Sequence, residues 1–564
     1  MVQANRSPGE RVSASATTPA PPAAEGDFTH RQIMTILAGL MMGMFLAALD
    51  QTIVATAIRT IADDLHGFSV QAWATTAFLI TSTISTPLYG KLSDIYGRRR
   101  FFLAAIGIFV VGSALCGMAG DMYQLAAYRA VQGIGAGGLM SLALAIIGDI
   151  VPPRERAKYQ GYFLAVFGSA SVLGPVLGGL FAEADDVFGI AGWRYIFYIN
   201  VPLGLLAMAV VARVLHLPHH RTDHRIDWPG ALALIVGLVP LLTVAEQGRD
   251  WGWDSPRAIL CYVVGVVGLV AFVLVERAYR DEALLPLRLF RNRTFGVGAA
   301  SSFVVGMAMF GGLMMVPLYL QIVKGSSPMV AGLQMIPFVL GIMAGSILFG
   351  QIIFRTGRYR FIPIVGSALM LIALFLFSLI TADTPLPATM AIMLLMGLGL
   401  GGNMQPIVTA VQNAVSPREI GTATSAVTFF RQMGGTLGTA VFLSVLFAAV
   451  PGRIRDAFTS AQSSPEFQQA LRDHPDQAQA LQAGQSTEGL NDTSFINTLT
   501  DVIAHPFKVG FSESMSLVFL LAAIIMIAGL IVVLFLPELP LQNRSAAAAR
   551  AAEAAEARAA AETP

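Results

Sequence analysis

Gly90-Lys91-Leu92-Ser93-Asp94-Ile95-Tyr96-Gly97-Arg98-Arg99-Arg100 joins two long apolar stretches, and 260 residues later Gly350-Gln351-Ile352-Ile353-Phe354-Arg355-Thr356-Gly357-Arg358-Tyr359-Arg360 does the same. Both keep two glycines seven residues apart, followed by a basic cluster. A second pair recurs at an offset of 264. Gly133-Ile134-Gly135-Ala136-Gly137-Gly138 and Pro153-Arg154-Glu155 return as Gly397-Leu398-Gly399-Leu400-Gly401-Gly402 and Pro417-Arg418-Glu419. Two related halves in an apolar chain are the pattern of an alternating-access membrane protein.

Composition supports that reading. Of 564 residues, 55% are hydrophobic and 13% charged, about half the charge of a soluble protein. The apolar residues gather in runs of about 20 or more, enough to cross a ~30 Å hydrocarbon core. A net charge of +1 suggests neither a nucleic-acid partner nor an acidic one. Cys116 and Cys261 lie in apolar spans and give no disulfide framework or metal-ligand spacing. No Gly-rich phosphate loop ending in GKS or GKT is present, which argues against an ATP-driven pump.

Fourteen spans are read at 33–57, 71–90, 101–119, 124–148, 159–182, 194–214, 228–246, 257–276, 295–318, 329–354, 361–381, 388–412, 423–447 and 514–537. With both termini cytoplasmic, 25 of the 36 Lys and Arg fall inside and nine outside, while Arg129 and Arg431 sit within spans; positive charge favours the inner side. The repeat aligns spans 1–6 with spans 9–14 and leaves spans 7–8 as an insert. The expected organisation is a disordered tail 1–32, a six-helix bundle 33–215, the insert and inner linker 216–294, a second six-helix bundle 295–537 with an outer loop 448–513, and a tail 538–564. The linker Arg277–Arg293 is basic and partly amphipathic, and is expected along the inner membrane surface. A short helix is expected from Pro465 to Ala483. Trp193, Trp251 and Trp253 read as interface anchors.

Asp50, in Leu49-Asp50-Gln51-Thr52-Ile53-Val54, is the one acid deep in any span. A carboxylate there costs roughly 2.5–3.5 kcal/mol, and a titratable group kept from water suits proton coupling; the plainer alternative is an acid near the outer end that caps a neighbour. Arg129, at similar depth in span 4, needs an anion or carbonyls. It is expected to pair with Asp50 directly or through Gln132 or water, or else to tie two helices through backbone oxygens. Arg431, in Phe430-Arg431-Gln432-Met433-Gly434-Gly435, has no acid at its depth. Carbonyls, the polar residues Asn403, Gln405 and Gln412 of span 12, or an anionic substrate group could all pair with it. In the Gly90–Arg100 turn, Asp94 could meet the positive N-terminus of a neighbouring helix while Arg98 clamps it. That contact would latch one conformation with Gly90 and Gly97 shaping the turn; the alternative is a positive-inside anchor. Phe354 replaces the acid in the second copy, so any latch is asymmetric. Gly174-Pro175-Val176-Leu177-Gly178-Gly179 in span 5 reads as a site of close helix approach. Met41, Met42, Met44 and Met307, Met309, Met314 and Met315 suit varied apolar ligands or plain packing.

At these residues the chain resembles the major facilitator superfamily, in its fourteen-helix drug:proton antiporter branch. Gly90–Arg100 is similar to the family's inner loop motif, Arg129 with Gln132-Gly133 to its span-4 motif, and Gly174-Pro175-x-x-Gly178-Gly179 to its span-5 exporter motif. Asp50-x-Thr52-Ile53-Val54 and Trp193-Arg194-x-Ile196-Phe197-x-Ile199-Asn200-x-Pro202-x-Gly204 resemble the fourteen-helix branch. The resemblance implies an all-α polytopic membrane protein of two pseudo-symmetric six-helix bundles rocking about a central cavity, with spans 7–8 set aside. It implies a proton-coupled antiporter that exports apolar, often cationic compounds, not an enzyme, with no cofactor or metal. Spans 9–14 lack the extra acids that some multidrug members carry, which favours neutral, lipid-like or anionic cargo and makes Arg431 a contact for it. The expected setting is the bacterial cytoplasmic membrane, with a monomer meeting lipid, protons and a small hydrophobic substrate. Export of an endogenous lipid, siderophore or antibiotic is the alternative, and a non-transporting receptor or scaffold the alternative of another class.

Overall fold

The computed structural model describes residues 29–66, 72–182, 189–215, 227–280, 282–474 and 498–542, with isolated positions at 184, 186–187, 477, 496 and 548. The tail 1–28 and most of the tail after 542 lie outside the described residues. The described residues are almost wholly helical: α1 His30–Asp64, α2 Ala72–Tyr96, α3 Arg98–Gly117, α4 Met122–Ile150, α5 Pro153–Ala182, α6 Tyr195–Tyr198, α7 Asn200–Val214, α8 Trp228–Trp251, α9 Pro256–Tyr279, α10 Arg293–Leu318, α11 Pro328–Gln334, α12 Ile336–Thr356, α13 Phe361–Phe377, α14 Leu386–Ala414, α15 Ile420–Ala461, α16 Pro465–Asp473 and α17 Asp501–Leu534. Thirteen of the described helical stretches are long and apolar enough to cross a membrane. Helix α2 falls outside that group because of its Ser and Thr residues, which suit a helix flanked by protein on two sides, α4 and α15.

The two halves repeat one packing scheme. Helix α2 packs on α4, α3 on α4, α1 on α5, and α7 on α1 and α3; these pairings return as α12 on α14, α13 on α14, α10 on α15, and α17 on α10 and α13. The glycine repeats explain how. A Cβ at Gly133 or Gly137 would run into α2 at Phe78 and Ser82, while one at Gly135 would run into α3 at Phe109. Gly397 and Gly401 lie the same way against α12 at Phe338 and Ile342, and Gly399 against α13 at Met370. Glycines four apart thus seat one neighbour and the intervening glycine seats the other, so two backbones approach a single helix. The second glycine of each turn repeat has positive φ, 101° at Gly97 and 69° at Gly357, a conformation that β-carbons disfavour.

Local signals set the helix starts. Asp121, Asp227, Ser255, Asn292 and Ser327 each cap the first turn that follows them by accepting from a backbone N–H. Four spans differ from the hydropathy reading. The sixth is broken, a 3₁₀ turn Gly192–Arg194 and the short α6 preceding α7. The tenth is divided into α11 and α12 near Pro337. Helices α15 and α17 run well beyond the spans read from hydropathy, to Ala461 and from Asp501, so most of the described residues of the 448–513 loop are helical. A hydropathy window ends where apolar residues thin out; the backbone hydrogen-bond ladder need not. Helix α16 occupies Pro465–Asp473, shorter than expected.

The inserted pair α8–α9 crosses closely at Gly237, Gly265 and Gly268. It leans on the seam where the two halves meet: Ile80 and Ile84 of α2, Leu234, Leu238 and Leu242 of α8, and Ala423, Ala426 and Val427 of α15 share one buried apolar cluster. The linker is amphipathic as expected, its arginines exposed, and its apolar side packs on the protein. Leu284, Leu285 and Leu289 are buried in that cluster, and the backbone N–H groups of Leu284 and Leu285 donate to Asp227 (3.4 Å) and Glu276 (3.0 Å). Trp193 is not an interface anchor. It is buried, its indole N–H donating to Asp64 at 2.8 Å.

Candidate functional site

Asp50 is fully buried at the centre of a polar cluster drawn from four helices. Arg129 Nη1 donates to Asp50 Oδ2, and Gln132 Nε2 (2.7 Å) and Asn200 Nδ2 (3.0 Å) donate to Asp50 Oδ1. Arg129 Nη1 also reaches Gln132 Oε1 at 2.7 Å, and Gln132 Nε2 reaches Ser113 Oγ of α3 at 2.6 Å. The guanidinium lies 4.1 Å from the Phe78 ring centroid, and its Nε donates to the Ala74 carbonyl at 3.3 Å. Both pairings open to Arg129, the direct one and the one through Gln132, are therefore present together. Charge and three donors converge on one carboxylate, the arrangement that holds a buried anion. Gly112 allows it: a Cβ there would come within 2.6 Å of the Gln132 backbone and push α3 from α4.

The exporter-type motif of α5 supports this cluster from behind. A Cβ on Gly174 would overlap Thr52, two residues from Asp50, and one on Gly178 would lie 2.9 Å from the Ile53 carbonyl. Thr52 Oγ1 donates to the Ala170 carbonyl at 2.9 Å, tying α1 to α5. Nothing lies within 4 Å of a Cβ at Gly179, and Pro175 faces Gly332 of α11 in the other half.

A second cluster joins the two halves at the end that carries the Gly90–Arg100 turn, here called the basic end. Asp94 Oδ2 accepts from the Thr422 backbone N–H (2.7 Å) and from Thr422 Oγ1 (2.9 Å), in the first turn of α15. Arg98 holds Asp94 Oδ1 at 2.5 Å and Asp149 Oδ2 at 2.8 Å. A Cβ on Gly90 would overlap Ser425, and one on Gly421 would overlap Arg98 and Asp94. Nearby, Arg156 Nη1 donates to Gln412 Oε1 at 2.6 Å, and Gln412 Nε2 donates to the Leu144 carbonyl (3.2 Å) and to Thr424 Oγ1 (2.8 Å). Burial pulls the Arg156 guanidinium down to about 9, still charged at neutral pH. Farther in, Thr86 Oγ1 donates to Gln432 Oε1 at 3.1 Å. The halves are thus fastened together at this end.

The polar residues expected around a cavity separate. Gln132 belongs to the Asp50 cluster and Gln412 to the fastening. Asn403 is buried against α13, accepting from Ser367 (2.9 Å) and donating to the Gly399 carbonyl (2.9 Å). Gln405 is 5% exposed, with Oε1 sealed off and unpartnered. Arg431 is half-buried, and among the described residues its side chain has no hydrogen bond or ion pair. Sequence reading singled out neither Asn200, except inside a motif, nor Ser113, Asp149, Arg156, Thr422 or Gln432. Asp149 and Arg156 flank the Ile150–Pro153 turn, beyond the drawn spans, where charge reads as ordinary solvation.

A polytopic membrane protein of two matched helical bundles, with a buried ion pair in one and a polar fastening between them, has the architecture of a carrier. A sequence profile of the Major Facilitator Superfamily matches residues 40–439, and the chain belongs to that family of transporters. It is 34% identical over 512 residues to multidrug resistance protein 3 of Bacillus subtilis (strain 168), covering 90% of this chain and 96% of that one. It is 33% identical over 539 residues to the multidrug transporter protein MdtP of the same organism, covering 93% and 96%. Among solved structures, the proton:xylose symporter XylE superposes with a TM-score of 0.54 at 14% identity, over 93% of this chain and 100% of that one. A bacterial homologue of the human lysosomal transporter Spinster, in an inward-facing unoccupied conformation, gives 0.55 at 16%, over 90% and 97%.

Proposed function

We propose that this transporter is a proton-coupled antiporter of the fourteen-helix branch, which expels hydrophobic compounds across the bacterial cytoplasmic membrane with its basic end facing the cytoplasm. The observation that carries the reading is the Asp50 carboxylate, buried and held by Arg129, Gln132 and Asn200. Protonation removes the charge that Arg129 pairs with and turns one acceptor oxygen into a donor. The contacts that bind α1 to α4, through Gln132 to α3 and to the start of α7, weaken together. A proton entering from outside would release α1, allow the bundles to part at the basic end, and expose the interior to cytoplasmic cargo. Proton loss inward would restore the ion pair. The names of the Bacillus relatives support drug-like cargo. One charge moved through 100 mV is worth about 2.3 kcal/mol, roughly a fifty-fold gradient.

The test is efflux from vesicles with an imposed pH gradient. Asp50→Asn keeps the shape of the side chain and removes its titration. It should leave a folded protein without gradient-driven efflux; efflux at the wild-type rate would refute the reading.

A further inference from the structure

Glu276, in the last turn of α9, is a buried acid with no part in the antiport cycle or in the fastening at the basic end. Its Oε2 accepts from the Leu285 backbone N–H at 3.0 Å. Its Oε1 is sealed from water and has no hydrogen-bond partner among the described residues. Asp227, the N-cap of α8, is buried too and accepts from the preceding N–H of the linker, that of Leu284. Two carboxylates thus hold consecutive backbone amides. An ionised oxygen left without a partner in such a place is costly unless a cation stands near.

That cation is Lys91, and it comes from the other half. Lys91 belongs to α2 and follows Gly90, where a Cβ would overlap Ser425 of α15. Leu88, three residues back, packs on the cluster that holds Leu284 and Leu285. Asp94, Glu276 and Glu419 attract the Lys91 ammonium, and Arg288 repels it. Asp227 repels a charge on Glu276, and Lys91 attracts it. Arg277, next in sequence to Glu276, is exposed. The surroundings of Glu276 are tied to the C-terminal half. Arg288 pairs with Glu419 at 2.8 Å, Asn292 Nδ2 donates to the Ala414 carbonyl at 2.8 Å, and the linker leucines share a cluster with Ile407 and Val408 of α14. By comparison, α8 meets α2 through apolar contacts at Ile80 and Ile84. Acid and cation therefore belong to different halves and meet across the seam.

We infer that Glu276 is a proton-binding site separate from Asp50, ionised while Lys91 faces it and protonated from the cytoplasm when the halves part at the basic end. This role rests on the parting of the halves proposed above and adds a group that the antiport cycle does not use. When α2 withdraws, Lys91 goes with it and Asp227 remains. Loss of the cation and repulsion from Asp227 both favour the neutral acid. The proton enters and leaves on one side, so it does no transport work. It couples cytoplasmic pH to conformation instead. The open form binds the extra proton, so acid on that side stabilises the open form and alkali the closed one.

The test reads spin-label distances across the basic ends of α3 and α14 in purified full-length protein. They are recorded against pH in an Asp50→Asn background, so that the acid of the antiport cycle is silent. The ratio of open to closed form should rise as the pH falls from about 8 to about 6, by up to about tenfold per pH unit for one linked proton. Glu276→Gln should raise the open fraction at the upper pH and remove most of the response. Lys91→Met should do the same, since the cation is then absent from both forms, and Lys91→Arg should keep the response. A Glu276 that only fastened Leu285 would leave the response as it was in Glu276→Gln, because an amide oxygen accepts the same N–H. No pH response in the Asp50→Asn protein, or an unaltered one in Glu276→Gln, overturns the assignment. Should Glu276→Gln not fold, Lys91→Met decides by the same comparison. Efflux from Asp50→Asn vesicles reports separately on the antiport reading.

Discussion

Asp94 and Thr422 are 328 residues apart in the chain, yet one carboxylate oxygen of Asp94 accepts both the backbone N–H and the hydroxyl of Thr422. The acid stands at the end of α2 and the threonine in the first turn of α15, where unpaired N–H groups and the helix dipole attract an anion. Arg98, itself paired with Asp149, holds the acid in place from its own half. The contact can exist only while the two bundles are closed at this end, so its free energy counts toward one state alone.

Asp94→Asn should therefore shift the population toward the form open at the basic end. Hydrogen bonds to a charged group are worth about 1.5–3 kcal/mol, or a shift of roughly tenfold or more. Gly421→Ala, which places a methyl group onto Arg98 and Asp94, should act in the same direction, and the double variant should be less than additive. Spin-label distances across the basic ends of α3 and α14 would read the population. Unaltered distance distributions in both single variants would remove the latch from this account.

The glycines of the α5 motif should differ sharply in tolerance. Gly174→Val drives a branched side chain into Thr52 and moves α1 beside Asp50; overpacking of this kind costs about 1–3 kcal/mol. Efflux should fall to background and the melting temperature should drop. Gly179→Ala meets open space and should keep both within error of wild type. Equal sensitivity of the two positions, measured side by side, would show that the motif does not act through contact with α1.

Gln412→Leu removes the acceptor of Arg156 and a donor to Leu144. Leaving a buried guanidinium short of a partner costs about 1–3 kcal/mol, and thermal stability should decline accordingly. Adding Arg156→Met should recover part of the loss, because removing both partners leaves less unsatisfied charge than removing one. A double variant less stable than the sum of the singles would contradict this.

Sequence alone carried the architecture a long way. The 260-residue repeat, the apolar windows and the basic turns gave two matched halves with an inserted pair, because lipid permits few solutions for a backbone that must satisfy its own hydrogen bonds. Asp50 and Arg129 were legible for the same reason, since an ionised group in an apolar run is costly enough to mark itself. Asn200, Ser113 and Thr422 were not, because neutral polar side chains cost little to place in a helix and acquire meaning only from what they face. The extent of α15 beyond the apolar window and the breaks near Ile199 and Pro337 were hidden likewise, since hydropathy reports solvent and not backbone geometry.

What the sequence by itself determined was which residues must leave water and which charges must find partners there. Which partners they found was decided by the tertiary structure. Gln412 and Gln405 lie on nearly one face of one helix, but the fold gives the first Arg156, Leu144 and Thr424 and leaves the second with an unsatisfied oxygen. Helix crossing sets that difference: α14 and α15 touch where Gln412 donates to Thr424, a contact that no local pattern of residues encodes.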